Sequence, residues 1–276
     1  MFTLNCKGRL LIIDKPIIMG IINTTPDSFY SNSRKQSVDE ALRHAEKMLN
    51  EGATIIDIGG QSTRPGSDQV GVEEELNRII PVIETINKHL PEAFISIDTY
   101  YSKVAEETIA AGASIINDIS GGTIDEKILS IIATNHVPYV CMHMKGKQQT
   151  MQQNPQYKDV TKEVLDFFIK RIGDCQKAEI NDVIVDIGFG FGKTIEHNFT
   201  LLKNLSVFKM LGTPLLLGIS RKSSISKTLN ISTGEALNGS TILHTIGLLN
   251  GANILRVHDV KEAMECVKLL DTYNKV

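Results

Sequence analysis

Asp98, Asn117 and Asp186 each close a short apolar run of this sequence, and Asn23, His143, Ser220-Arg221-Lys222 and Arg256 with His258 and Asp259 close others. Burial alone would not select such residues, because an unpaired buried polar group costs roughly 1–3 kcal/mol. Asp98, Asn117 and Asp186 can offer acceptors and amides to a flat heterocycle bearing amino and ring N–H donors, and Lys222 adds a point donor. Arg64, Arg256 and His258 form a set suited to a polyanion, since the planar fork of arginine matches phosphate oxygens. Asn23 supplies a hard neutral oxygen. Mg²⁺ favours few protein oxygens beside phosphates and waters, so Asn23 is its candidate protein ligand.

Other chemistries lack their spacing. The segment Gly188-Phe189-Gly190-Phe191-Gly192-Lys193-Thr194 resembles a phosphate-binding loop, but Ile187 stands where a Walker A glycine is required. It reads instead as a strand-to-helix loop whose two phenylalanines are candidates to stack on a ligand. No H-E-x-x-H or G-x-S-x-G pattern occurs. His44, His89, His136, His197 and His244 read as helix-surface or packing residues, while at the end of the fifth run either His143 or Met142 can face a site.

These residues need elements to position them. Apolar runs of strand length occupy 17–23, 54–60, 94–99, 114–120, 138–143, 182–188, 214–220 and 253–259. Amphipathic helical patterns lie between them, at about 37–51, 73–89, 102–111, 125–134, 159–178, 196–210, 235–249 and 260–273. Ser37 with Glu40 forms a capping-box pattern for the first. Gly52-Ala53, Gly112-Ala113 and Gly251-Ala252 recur where a helix ends and a strand begins. Strict alternation predicts a single α/β domain over 1–276, a TIM (β/α)8 barrel. Residues 1–16 form an N-terminal β-hairpin turning at Lys7-Gly8, and an open doubly wound sheet is the competing architecture. In a closed barrel the C-terminal strand ends meet on one rim, which would gather all the polar residues named above.

Composition narrows the partners. The 276 residues are 42% hydrophobic with a formal net charge of −3. That gives neither nucleic acid nor an anionic membrane an electrostatic footprint. No run approaches the roughly 20 apolar residues that span a bilayer, and the N-terminus lacks the pattern of a signal peptide. Cys6, Cys141, Cys175 and Cys266 are scattered, as buried apolar thiols are. A cytoplasmic setting is expected.

The motifs MGIINTTPDSF (19–29), GGQSTRPG (59–66), SIDT (96–99), IINDISG (115–121), the stretch from Asp186 to Lys193, GISRKS (218–223) and LRVHDV (255–260) resemble, in order, those of dihydropteroate synthases. The resemblance runs from about residue 17 to 270. It implies condensation of a pterin pyrophosphate with p-aminobenzoate in folate biosynthesis, Mg²⁺ as cofactor, and a homodimer. It further implies that Asp98, Asn117, Asp186, Lys222, Met142 and Gly218 hold the pterin. Asn23, Thr63, Arg64, Arg256 and His258 would serve the pyrophosphate, with Asn23 on the metal. Thr63, Pro65, Phe191 and Ser223 would shape the p-aminobenzoate pocket, and Arg256, His258, Lys222 and Arg64 would carry catalysis. Two departures stand out: Ile187 replaces a usual proline, and Tyr30-Ser31-Asn32 follows Phe29 where many members have an aspartate.

Three rival readings share parts of this pattern. A pterin-binding methyltransferase has little use for a pyrophosphate site, an aldolase would use Lys222 as a Schiff base, and an inactive paralogue would bind the pterin without turnover.

Overall fold

The structure is a computed structural model that describes residues 1–24, 34–61, 70–146 and 150–276. The chain opens with a hairpin of β1 (Phe2–Cys6) and β2 (Arg9–Ile13). Lys7 and Gly8 both take positive φ, 54° and 84°, as a two-residue turn matching strand twist requires. Next come β3 (Ile17–Asn23), α1 (Arg34–Glu51), β4 (Ile55–Gly59), α2 (Val72–His89), β5 (Phe94–Asp98), α3 (Ser102–Ala111), β6 (Ile115–Asp118) and α4 (Lys127–Asn135). The second half holds β7 (Tyr139–Met142), α5 (Val160–Lys177), β8 (Val183–Asp186), α6 (Ile195–Lys203), β9 (Leu215–Leu217), α7 (Ser223–Leu229), α8 (Leu237–Leu249), β10 (Ile254–Val257) and α9 (Val260–Tyr273). Strands β3 to β10 pair in parallel and close on themselves, β10 beside β3, to give the expected TIM barrel.

Side-chain parity organises everything that follows, because successive residues of a strand face opposite sides. One set (Ile18, Ile22, Ile56, Ile58, Ile95, Ile97, Ile116, Val185, Leu217 and Leu255) packs outward against the helices in the main core. The alternate set (Ile17, Met19, Ile55, Ile115, Val140, Ile184, Leu216 and Ile254) fills the N-terminal end of the barrel. Leu4, Cys6, Leu11 and Ile13 of the hairpin join this second cluster and plug the end opposite the rim. Burial raises the Cys6 thiol to about 12, so it behaves as a small apolar group.

Four expectations need correction. Helix α1 begins at Arg34, so Ser37 lies inside it and is not its N-cap. The helix expected over 196–210 ends at Lys203 and continues as a 3₁₀ turn over Leu205–Leu211. The short helix α7 was not anticipated, because its seven residues, SSISKTL, are too few for a clear periodicity. Phe189 stacks on no ligand: it is 1% exposed and meets Phe199 edge-on in the core.

Leu11 is 3% exposed against the barrel floor. Leu11→Ala should therefore cost about 2–5 kcal/mol, as buried leucine truncations do, in urea unfolding of the full chain. A loss below about 0.5 kcal/mol, the scale of a surface change, would contradict the plug.

Candidate active site at the barrel mouth

The inward parity that fills the floor with apolar residues delivers polar ones two and four positions later. Above Ile55 come Asp57 and Gly59, above Ile115 comes Asn117, above Ile184 comes Asp186, and above Ile254 comes Arg256. Asp98 on β5 and Asn117 on β6 are register neighbours, as are Asn23 and Gly59 on β3 and β4.

Arg256 is the centre of the group. Its Nε donates to Asp57 Oδ2 at 2.6 Å and its Nη2 to Asp98 Oδ2 at 2.6 Å. The Asp57 side chain is 0% exposed and that of Arg256 only 15%. Asn117 Nδ2 donates to the same Asp57 oxygen at 3.1 Å. Burial works against the Arg256 charge, yet Asp57 and Asp98 hold its proton more tightly than in free arginine. Removing one partner from such a buried pair costs roughly 3–5 kcal/mol, because the other charge is stranded.

Asp98, 8% exposed, is pushed up to about 6 by burial; Arg256 opposes this and Asp57 reinforces it. Burial also raises Asp186, against the Gly188 amide, which donates to its Oδ1 at 2.8 Å, and against Lys222 and Arg256. Burial lowers Lys222 to about 8, with Arg256 adding repulsion. Its Nζ lies 4.2 Å from the ring centroid of Phe191, a cation–π distance. Glycine makes the floor: a Cβ on Gly59 would lie 3.5 Å from Asp98 Cβ, and one on Gly218 would lie 3.7 Å from Asp186 Oδ2.

Most of the residues selected from the sequence therefore converge. Asn23, Asp98, Asn117, Asp186, Gly218 and Arg256 share the inward face, while Met142 and Phe191 cluster with Tyr100, Ile119 and Met151 at its side. Lys222 and Ser223 start α7 beside them. Of the pair at the end of β7, Met142 joins the mouth cluster, whereas His143 turns outward against Phe167. His258 sits on the exposed rim with its Nδ1 3.1 Å from Ser220 Oγ. Although the residue reaches solvent, desolvation of its ring and then the Arg256 cation hold its imidazole below the ordinary value, so near neutrality it offers a hydrogen bond rather than a charge. Arg221 and Asp259 pair bidentately with each other, at 2.8 and 2.9 Å. Thr63, Arg64 and Pro65 lie outside the described residues, as do Tyr30, Ser31 and Asn32.

Three buried ionisable groups escaped the sequence reading. Asp57 sits mid-strand in an otherwise apolar IIDIG run, and an acid there signals a partner. Glu75 on α2, raised by burial to about 7, accepts from Gln61 at the root of the second loop. Lys193, 2% exposed, closes the glycine-rich loop and carried no signal beyond its misfit to a Walker motif.

The family comparison agrees with this geometry. The model of the pterin binding enzymes matches residues 19–258. The dihydropteroate synthase of Escherichia coli K12 is 45% identical over 267 residues, covering 96% of this chain and 94% of the relative. The chain belongs to the dihydropteroate synthase family. Within that family, the Yersinia pestis enzyme in a sulfonamide complex superposes with a TM-score of 0.93 at 39% identity over the whole of both chains. The Xanthomonas albilineans enzyme with 4-aminobenzoic acid gives 0.92 at 39% identity, covering 99% of this chain and 98% of the other. Both neighbours share the fold over essentially the whole chain, and the Ile187 side chain is buried in the outer core.

The Asp98 carboxyl should titrate near about 6 in carboxyl-¹³C NMR of the ligand-free protein, and Arg256→Met should raise it further. An unperturbed value of about 4 would show that burial does not govern it.

Proposed function

We infer that this chain is a transferase of folate biosynthesis that condenses 6-hydroxymethyl-7,8-dihydropterin pyrophosphate with p-aminobenzoate, releasing 7,8-dihydropteroate and pyrophosphate. The observation that carries this is the buried Asp57–Arg256–Asp98 group with Asn117 and Asp186 around it, in a chain 45% identical to a dihydropteroate synthase. That kinship sets aside the methyltransferase and Schiff-base readings. In the reaction the C–O bond from the pterin methylene to pyrophosphate breaks, a C–N bond to the arylamine forms, and the amine nitrogen sheds a proton.

The residue roles follow from chemistry at the mouth. Asp98, Asn117 and Asp186 accept from or bond to the pterin edge over the floor made by Gly218, with Met142 against its face and Lys222 on a ring acceptor. Gly59 and Gly218 carry no side chains beside Asp98 and Asp186, which leaves the space over the strand ends to a flat ring. Arg256 and His258 face the pyrophosphate, joined by Thr63 and Arg64 of the second loop. Phe191, Ser223, Thr63 and Pro65 border p-aminobenzoate, in keeping with the 4-aminobenzoic acid in the Xanthomonas structure. The path is SN1-like: these donors stabilise charge growing on the leaving group while the electron-rich pterin shares the cation on carbon. No strong base is needed.

Mg²⁺ fits the donors as a companion of pyrophosphate. Among the described residues no three His, Cys, Asp or Glu side chains gather as a metal cage. Asn23 brings one neutral oxygen to the strand end beside Gly59, which suits an ion whose other ligands are phosphate and water. Bound there, Mg²⁺ would neutralise charge on the pyrophosphate.

A homodimer accounts for an apolar face on the helices. Ile242, Ile246 and Leu249 of α8 are 52%, 37% and 56% exposed, and Leu269 and Tyr273 of α9 are 73% and 69% exposed. Spacings of three and four residues place each set on one face, suited to a second copy of the chain. No described helix is long and apolar enough to cross a membrane, and the four unpaired thiols suit a reducing cytoplasm.

Purified protein should release pyrophosphate only when pterin pyrophosphate, p-aminobenzoate and Mg²⁺ are all present. Arg256→Ala should lower kcat/KM by about 10²–10³. Pterin binding without release would favour an inactive paralogue, and an Arg256→Ala rate within about threefold of normal would remove Arg256 from the mechanism.

A further inference from the structure

The mouth leaves one buried cation without a role. Lys193 is 2% exposed, and its Nζ lies 2.9 Å from His143 Nδ1, 3.1 Å from His143 O, 2.9 Å from Gly188 O and 3.0 Å from Phe191 O. All four partners are neutral acceptors. Burial lowers the Lys193 amine to about 7, and in either form its N–H groups donate to the carbonyls. The ammonium has no lone pair, so in that form His143 accepts, and burial and the Lys193 charge hold the imidazole far below its ordinary value. An apolar side chain would fill the same space without the several kcal/mol needed to strip water from an ammonium. What the cation gains is a grip on three backbone carbonyls from two separate connections.

Those carbonyls are crowded. A Cβ on Gly188 would sit 1.9 Å from His143 O, and one on Gly192 would sit 2.1 Å from Lys145 O. The segment after β7 and the loop after β8 thus press backbone to backbone, with carbonyl oxygens converging on Nζ. The far side of the loop is open: a cleft of about 220 Å³, lined by Gln152, Gly190, Ser223 and Lys227 among others, borders it. On that side the loop is tied by single hydrogen bonds, with Gln152 Nε2 donating to Gly190 O, the Gly190 amide to Asn198 Oδ1 and the Tyr157 hydroxyl to Gly192 O, whereas the Lys193 amine reaches three carbonyls at once. Its position passes directly to the mouth, because Phe191 is 6% exposed there and its ring supports Lys222.

We propose that Lys193 is a positioning residue for the arylamine substrate: by clamping the carbonyls of His143, Gly188 and Phe191 it fixes the 188–192 loop so that the Phe191 ring forms one wall of the p-aminobenzoate subsite. This rests on the assignment of Phe191 and Ser223 to that subsite. Lys193 is too buried to touch substrate and acts through the loop, chiefly through Phe191 and secondarily through Gly188, whose amide donates to Asp186. The pterin edge depends less on it, since Asp98, Asn117, Gly218 and Arg256 do not bond to the loop and Asp186, the last residue of β8, meets it through one amide, that of Gly188.

The test is a split of Michaelis constants in the full-length protein. Lys193→Met should raise KM for p-aminobenzoate at least about tenfold and leave KM for the pterin pyrophosphate within about threefold. Lys193→Gln, which keeps two donors for the same carbonyls, should recover part of the loss. An amine KM within about twofold of normal, or equal rises in both constants, would overturn the proposal. If Lys193→Met does not fold, Lys193→Gln is judged by the same split. Phe191→Ala measured alongside separates the two assignments. If it raises the amine KM and the Lys193 variants do not, the subsite stands and the clamp fails; if Phe191→Ala leaves the amine KM unchanged, the subsite assignment fails and the clamp with it.

Discussion

A carboxylate with no exposure to water lies across the mouth of this barrel, and Arg256 must answer it. A fully buried carboxyl on β4 calls for a partner, and Asp57 finds it on β10, across the closure of the barrel. Sharing its guanidinium between Asp57 and Asp98 fixes Arg256 by two of its nitrogens. Asn117 adds a second donor to the same Asp57 oxygen, and the glycines at 59 and 218 carry no side chains beside Asp98 and Asp186. The mouth is accordingly rigid and charged before any ligand arrives. Such preorganisation is what stabilising a departing pyrophosphate requires, since the donors need not reorient as charge develops.

Strand periodicity explains why so much of this could be read from the sequence. A parallel strand covered on both faces must be apolar at nearly every position, so an Asp, Asn or Arg at its end is conspicuous. Asp98, Asn117, Asp186 and Arg256 stood out for that reason, and the closed barrel brought them together. Parity sorted what composition could not: Asn117 points in while its neighbour Asp118 points out, accepting from the Ser120 and Gly122 amides and from the Tyr139 hydroxyl. Asp57 was overlooked because it lies inside its run rather than at the end. Its role depends on a residue 199 positions away, a relation no local pattern encodes.

Loops were less legible than strands, for a physical reason. Their geometry comes from hydrogen bonds and close backbone approaches rather than from periodicity. The glycine-rich segment could be excluded as a phosphate cradle by spacing alone. What it does instead became visible only once Gly188 and Gly192 met the backbone of residues 143–145 around the Lys193 amine. Helix α7 likewise carries Lys222 and Ser223 into the mouth in only two turns, and Ser37 looked like a cap for a helix that in fact begins one turn earlier.

The central claim is that Asp57 and Arg256 act as one unit in presenting the pterin pyrophosphate site. A double-mutant cycle with Asp57→Asn and Arg256→Gln, read by calorimetric binding of the pterin pyrophosphate, tests it directly. Coupling of at least about 1.5 kcal/mol is predicted, because Arg256→Gln strands Asp57 and Asp57→Asn leaves Arg256 held by Asp98 alone, so either change already disrupts the shared arrangement and the second adds little. Additivity within about 0.5 kcal/mol would mean that the two residues serve the ligand independently, and would contradict the account.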